Sequence, residues 1–463
     1  MLEGSVGLEK ADLGTLILTG ANTYTGGTEI DGGALQVSAD ANLGAASGPL
    51  SFDGGILATT ATFTTARAAT LNSGGGVFDV APSTTLTVSG AIGGLGALTK
   101  TDAGTLILTA DNPYTGGTIV SAGTLAVGDS AHSSAALSGG GPITIGSGGT
   151  LGGYGSVTGS VVNDGVVAAG NATPGFGDPP PTGTFIIIGD LLNRGAVQLG
   201  SGASIGNVLQ VNGNYVGASG ALAVNTFLGN DSSPSDRLVI SGGAATGETF
   251  VHVTNIGGPG AQTTNGIQVV SAITGATTTP GAFALAAGEL RAGAFDYDLF
   301  RGGLNPSNFA NDWFLRSTFM APPQSGSGPQ PPTSQPQPPI VAPIPPFPSR
   351  PPLDPLPPGV LFPIIGPELA TYGVVQPLAR QLGLAILGTL DDRVGDTYEP
   401  DACAVQHGAR RLADKEAGDD TRAVPAVFTL GLGPLLRPDD RQPLSGVCRS
   451  ARQREHGRLP GWH

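Results

Sequence analysis

One stretch of sequence occurs twice in this chain. Residues 8–38 (LEKADLGTLILTGANTYTGGTEIDGGALQVS) and residues 98–128 (LTKTDAGTLILTADNPYTGGTIVSAGTLAVG) align at an offset of 90 and agree at 18 of 31 positions. Lys10 falls on Lys100, Leu16-Ile17-Leu18 on Leu106-Ile107-Leu108, and Tyr24-Thr25-Gly26-Gly27-Thr28 on Tyr114-Thr115-Gly116-Gly117-Thr118. A repeated unit too small to bury its own apolar side has to stack on its neighbours, so repetition constrains the fold before composition does. The first copy holds three short runs, Leu16–Thr19, Thr28–Ile30 and Ala34–Val37, separated by Gly, Asn and Asp. Runs of this length form strands, and the separators tolerate the positive φ of tight corners. The expected architecture is a β-solenoid.

The pattern L-x-K-x-D/G-x-G-T-L-x-L-x-x-x-N-x-Y-T-G-G-T, met twice in register, resembles the strand repeat of autotransporters, surface proteins of Gram-negative bacteria. The resemblance implies an all-β passenger, a right-handed parallel β-helix carried to the cell surface of the outer membrane by a C-terminal β-barrel. It implies a role in adhesion or host interaction. The partners it implies are a host-surface or extracellular ligand, with glycans among the candidates, and the outer-membrane β-barrel translocator.

Composition narrows the function classes. The net charge is −14, and residues 1–400 carry 11 Lys and Arg against 27 Asp and Glu. Binding to phosphate backbones needs clustered basic side chains, so nucleic acid is not expected as a partner. Both cysteines, Cys403 and Cys448, lie beyond residue 400. That absence elsewhere suits an exported chain, and drift explains it equally. The chain opens on MLEGSVGLEK without a signal-peptide pattern, and no apolar run is long enough for a transmembrane helix.

Along residues 1–200 the strand pattern continues beyond the repeats, in Val77–Val80, Thr84–Val88 and the related runs Pro49–Leu57 and Pro142–Ile145. At roughly 20–30 residues per turn, about ten to fifteen turns fit before residue 319. Residues 170–183 (GNATPGFGDPPPTG) read as a loop projecting from the stack. Residues 201–319 read as further rungs, in Asn207–Val216, Ala221–Phe227 and Arg237–Ser241, followed by an aromatic-rich cap. Phe283, Phe295, Tyr297, Phe300, Phe309, Trp313, Phe314 and Phe319 crowd together there, after a long stretch with few aromatics. An open solenoid end exposes a sheet edge, which large aromatics would cover. The run from Phe295 to Arg316 also resembles the C-terminal stability segment of pertactin-like passengers, and so an autochaperone.

Residues 320–367 form a Pro-rich linker, since 19 of the 38 prolines fall between 322 and 367 and leave no room for a strand or helix. A ligand for a proline-binding module is the alternative there. Residues 368–395 predict one short α-helix from Pro377 onward, with Leu378, Leu382, Ala385 and Ile386 at 3–4 spacing. It is similar to the pore helix of autotransporters. Residues 396–463 form an irregular tail in which prolines and arginines interrupt every candidate barrel strand. The reading for that tail is a frameshift or truncated translocator, with an unrelated C-terminal segment as the alternative. A chain so built would stay in the periplasm.

Chemistry-bearing patterns are sparse. His132, His252, His407, His456 and His463 form no metal-binding spacing, and Gly94-Leu95-Gly96 is an incomplete phosphate loop. Asp31, Asp53 and Asp79 are isolated, whereas β-helical polysaccharide lyases or hydrolases need converging carboxylates. No catalytic, cofactor or metal residues are predicted, no cofactor is expected, and the reading is not an enzyme. A β-helical carbohydrate-active enzyme is the second function class. Lys10 and Lys100, the two lysines before residue 400, predict a rung-to-rung structural role with Asp12 and Asp102 as partners. Tyr24 and Tyr114 predict a core or corner stack, with a sugar-stacking ladder as the alternative.

Overall fold

The computed structural model describes residues 1–176, 181–286, 290–304, 309–320 and 361–364. The chain divides into two compact units, residues 1–380 and 381–463, and every described residue belongs to the first. The pore-helix-like segment, the irregular tail and most of the Pro-rich linker lie outside the described residues.

The described residues form a parallel β-helix. Its first face begins with Leu8–Lys10, Thr28–Ile30, Leu50–Phe52, Ala69–Leu71 and Ile92–Gly94, each pairing in parallel with the next. Ile92 N–H then donates to the Asn112 side chain, and the ladder runs on from Asp111–Asn112 through six further parallel strands to Ile267–Ile273. The second face has twelve described levels, in strands beginning at Thr15, Ala34, Ile56, Gly76, Leu98, Thr118, Ile143, Val161, Leu191, Tyr215, Ala244 and Thr277. The third face starts at Phe63–Thr65 and ends at Phe283–Leu285. Among the described residues there is no α-helix, and two short 3-10 turns, Asp40–Leu43 and Gly170–Ala172, are the helical structure. No helix among them is long and apolar enough to cross a membrane.

Alternation of side chains builds the core. On the second face Leu16, Leu35, Leu57 and Phe78 stand in one inward column, and the residues between them point outward. A buried Leu or Phe contributes about 1.5–3 kcal/mol, so a column of such residues holds together short strands that could not persist alone.

Each repeat pairs with itself. Leu8 sits beside Thr28 and Leu98 beside Thr118, the same spacing along the chain in both copies. Thr15 sits beside Ala34 and Thr105 beside Thr124, again at one spacing. A copy therefore carries one complete turn and its own pairing register. The copies are not aligned with each other around the axis. Following the column from Leu16 through Leu35, Leu57 and Phe78, the next residue is Lys100. Lys10 lies on the first face and its equivalent Lys100 on the second, so the second copy is rotated by one face. Four turns of the first face carry the register from Lys10 to Gly94, six residues short of Lys100, and those six cross the corner onto the next face.

Two turn expectations are corrected. Of the segment 170–183 expected to project, the described ends lie against the body, and 177–180 lie outside the described residues. Phe176 packs edge-on against Tyr154 at 5.4 Å, Tyr154 donates its hydroxyl proton to Pro181 O at 2.7 Å, and Gly175 lies against Thr105. These described parts of the loop cover Tyr154 and Thr105. The run Asn207–Val216 is two strands, Val208–Val211 and the start of Tyr215–Thr226, because the chain turns a corner at Asn212–Asn214.

The end of the stack is aromatic and antiparallel. Trp313–Arg316 runs against Ile267–Ile273, and Asp298–Arg301 runs against Trp313–Arg316. Tyr215 stacks on Phe283 at 5.7 Å, and Phe283 meets Trp313 edge-on at 5.5 Å. Trp313 Nε1 donates to Thr278 Oγ1 at 3.1 Å. Tyr297 is buried, its hydroxyl bonded to Gly229 O at 2.8 Å and Ala261 O at 3.0 Å. The expectation that no strand survives within the Pro-rich linker fails at one place. Leu361–Pro363 pairs antiparallel with Thr318–Met320. An edge position tolerates a proline whose missing N–H points away from the partner.

Candidate functional site

The repeat's signature side chains are turned inward. Lys100 has no exposed surface, and its Nζ donates to Thr101 O at 2.6 Å, Asp102 O at 2.7 Å and Ala122 O at 3.3 Å. Lys10 makes the same arrangement with Asp12 O and with Gly32 O at 3.0 Å. The structural role expected of these lysines is what the geometry shows, and the partners differ. The ammonium groups bond backbone carbonyls at the corner of their own turn and the next, rather than aspartate carboxylates. A corner leaves carbonyls without ladder partners, and three donors on one nitrogen satisfy them. In Lys100 burial pulls the ammonium down to about 8, partly countered by the carboxylates of Asp102 and Asp79.

A pH test follows. In the unfolded chain this lysine titrates near 10.5, so above pH 8 the folded state gives up its proton first and stability rises with pH. The gain between pH 8 and 9.5 is expected to be roughly 1.5 kcal/mol, and Lys100→Met is expected to flatten it. Urea unfolding at the two pH values reads the slope. An unchanged slope in the variant refutes the assignment.

Tyr24 and Tyr114 are buried, and their hydroxyls meet Thr28 Oγ1 at 2.7 Å and Thr118 Oγ1 at 2.6 Å. Burial raises both phenols above their ordinary value, with the threonine bond opposing it. These rings fill corners within their own turns. They do not stack on each other, since the copies lie on different faces, and they offer no surface to a sugar. The glycines after them explain the rest of the motif. A Cβ on Gly26 would collide with the backbone of Gly7, and one on Gly116 with the backbone of Gly96 and Ala97. Gly27 and Gly117 turn the corner at φ of 87° and 91°.

Several buried polar groups escaped sequence reasoning. Arg67, the sole arginine before residue 190, bonds Asp40 Oδ1 at 2.8 Å, Ala45 O at 2.6 Å, and Gly44 O and Gly48 O at 2.9 Å. It clamps the loop at 40–48. Asn163 donates to Asn193 Oδ1 at 2.8 Å, Asn193 to Tyr215 Oη at 3.1 Å, and Tyr215 meets Thr249 Oγ1 at 3.0 Å. This ladder climbs the core and ends beneath the aromatic cap. Asp236 accepts backbone N–H bonds from Gly206, Asn207 and Asn225 at 2.7–2.9 Å. Its burial raises the carboxyl, and those three bonds oppose the rise. The rarity of arginine was the one sequence signal available for any of these.

The outer surface of the second face is the longest continuous feature. Thr15, Ala34, Ile56, Val77, Thr99, Ile119, Thr144, Val162, Leu192, Val216 and Thr246 stand in register on successive strands, without a charged residue. All are partly or fully exposed. Asp31 and Asp53 follow Ile30 and Phe52, which pair on adjacent turns of the first face, while Asp79 lies on the second face. Among the described residues no three His, Cys, Asp or Glu converge. His132 pairs with Asp129 at 2.7 Å on the surface, and His252 stands apart from it on the exposed outer side of the third face.

Comparison with known proteins agrees with this architecture. Residues 190–299 match the family described as Autochaperone Domain Type 1, and residues 8–37 and 98–127 each match the Passenger-associated-transport-repeat. The Adhesin BmaC autotransporter of Brucella suis biovar 1 (strain 1330) is 40% identical over 341 residues, 72% of this chain and 9% of that protein. The Probable autotransporter YfaL of Escherichia coli (strain K12) is 40% identical over 139 residues, 29% of this chain and 10% of that protein. YdeU of the same strain is 32% identical over 222 residues, 48% of this chain and 41% of that protein. The chain thus spans less than half the length of each of these relatives. With two transport repeats that each close one turn of the β-helix, and an autochaperone match over the rungs beneath the aromatic cap, the chain belongs to the autotransporters and is passenger in kind.

Proposed function

We propose that this β-helix is a non-catalytic passenger on the bacterial surface and that its second face adheres to a host-surface or extracellular ligand. The observation that carries the reading is the uncharged outward column from Thr15 to Thr246. Covering partly exposed aliphatic and threonine side chains costs no desolvation of charge, and contiguous apolar surface of this kind marks interaction sites. The inward lysines and tyrosines support binding without turnover, because the motif's reactive groups are spent on corners. The relative named an adhesin over 72% of this chain supports the same class. On this reading residues 1–200 carry most of the adhesive rungs, and 201–319 the last of them and the folding cap. Residues 320–367 are the spacer and 368–395 the segment that meets an outer-membrane β-barrel translocator.

The test is adherence of beads coated with the chain to host epithelial cells. A triple variant, Ile119→Asp with Val162→Asp and Leu192→Asp, is expected to lose adherence at least about tenfold while its circular dichroism stays that of the parent. Incubation of the parent with bacterial and host polysaccharides is expected to release no new reducing or unsaturated ends. Unchanged adherence in the variant overturns the second-face reading. Released ends would favour the carbohydrate-active enzyme.

A further inference from the structure

After the proline-dense segment the chain returns to the cap. Phe319 stands opposite Phe362 with ring centroids 5.8 Å apart, and Met320 stands opposite Leu361. Ile364 N–H donates to Ser317 O at 2.7 Å, and Asp296 N–H donates to Ile364 O at 3.1 Å. The returning strand is therefore held from two sides of the cap. The bond from Ile364 to Ser317 puts Pro363 and Thr318 at a position where an antiparallel pair exchanges no backbone bonds, so the proline forfeits none. Its seat is rigid. Thr318 Oγ1 donates to Thr263 O at 2.8 Å, and Ser317 Oγ donates to Ala261 O at 2.8 Å. The strand itself is short, and Leu361, Phe362 and Ile364 are half-buried. A short edge strand with few buried contacts is the kind of element that opens before the rest of a protein.

This pairing sets the two ends of a long segment side by side. Residues 321–360 separate Met320 from Leu361, and 17 of them are proline. We propose that Leu361–Ile364 is a releasable strap that sets the length of the tether beyond the β-helix. With the strap seated, residues 321–360 add nothing to the distance between the cap and the chain after Ile364. With the strap released, that segment can reach about 130 Å when fully extended. The β-helix then has two standing distances from whatever the chain continues into, and the switch between them is one short strand closed by Phe319 and Phe362. This goes beyond the adhesive reading and does not depend on which ligand is bound.

The experiment pulls single molecules of the full chain from its two termini, with Cys403→Ser and Cys448→Ser as background. The parent is expected to show a low-force lengthening of about 130 Å before any rung of the β-helix opens. Phe362→Asp is expected to lack that step, because the segment is already released. Met320→Cys with Leu361→Cys occupies an antiparallel pair without backbone bonds, where Cβ atoms approach most closely. Oxidation is expected to cross-link it within one chain and to abolish the step, and reduction to restore it. Identical traces in all three proteins, or a cross-link that forms between chains alone, would overturn the proposal.

Discussion

Trp313→Ala is expected to destabilise the β-helix by about 3–5 kcal/mol, the range for removing a buried aromatic from a packed core. Trp313 is 4% exposed and closes a chain of rings that runs through Phe283 to Tyr215. Its Nε1 also bonds Thr278 Oγ1, so the alanine leaves a cavity and removes that bond, while the hydroxyl keeps Asn311 O and Arg301 Nε. Trp313–Arg316 is the strand that covers the free edge of Ile267–Ile273 on the first face. Losing its anchor exposes that edge to other chains. Urea denaturation should show the midpoint shift, and light scattering should show association at concentrations where the parent is monodisperse. Phe309→Ala is the control. Phe309 is 46% exposed and touches Phe314 edge-on at 6.2 Å, so its loss is expected to cost under about 1 kcal/mol. Equal effects for the two substitutions would show that the rings do not act as a cap.

Gly116→Val is expected to cost about 4 kcal/mol or more, and Gly26→Val about 1, although the two glycines hold the same place in the repeat. Both need the absence of a side chain for the same reason, a neighbouring turn whose backbone lies where the Cβ would be. The difference lies in what can move. Gly26 presses on Val6 and Gly7, in the first described turn, which has a partner on one side alone. That segment can peel away locally, as terminal elements of stacked repeats do. Gly116 presses on Gly96 and Ala97, whose turn is paired on both sides through Leu98 to Gly76 and to Thr118. No local retreat is open to it. Hydrogen exchange should show Gly26→Val releasing protection before residue 20 alone, while Gly116→Val lowers global stability. The prediction fails if the two variants lose stability equally.

The strands were legible because an alternating run such as Leu16-Ile17-Leu18 has one solution once it must stack. The strand Thr28–Ile30 falls where its pattern placed it, and Ala34–Val37 does too. The aromatic crowd from Phe283 to Trp313 was legible as an end because it departs from the repeats that precede it. What the sequence hid is geometry that depends on counting turns. An offset of 90 between the copies reads like a whole number of turns, and the structure shows Lys100 in the column of Leu16 instead of Lys10. The partners of the lysines were hidden for a different reason. Asp12 and Asp102 stand two residues after each lysine in both copies, yet a corner exposes carbonyls that an ammonium group reaches first. The returning strand at Leu361 was masked by the prolines around it, since composition averages over a segment in which one short run differs. The uncharged outward column left no local mark because its members come one per turn, each separated from the next by the rest of a rung.

The rotation of the second copy has a consequence for how such a chain can lengthen over generations. Each repeat unit brings both strands of its own pairings, Leu8 with Thr28 or Leu98 with Thr118, and asks of its neighbours only an open ladder. Nothing in the unit specifies which of three sides it begins on. A gene that duplicates the segment need not cut at a whole turn, and an insertion or deletion between copies shifts the later copy around the axis without breaking either. Recombination breakpoints are therefore tolerated almost anywhere between units, which permits frequent changes of length in the coding sequence while every intermediate still folds. The outward side chains of a unit stay outward but face a different side after each shift, so lineages built from one interior module come to present different exteriors.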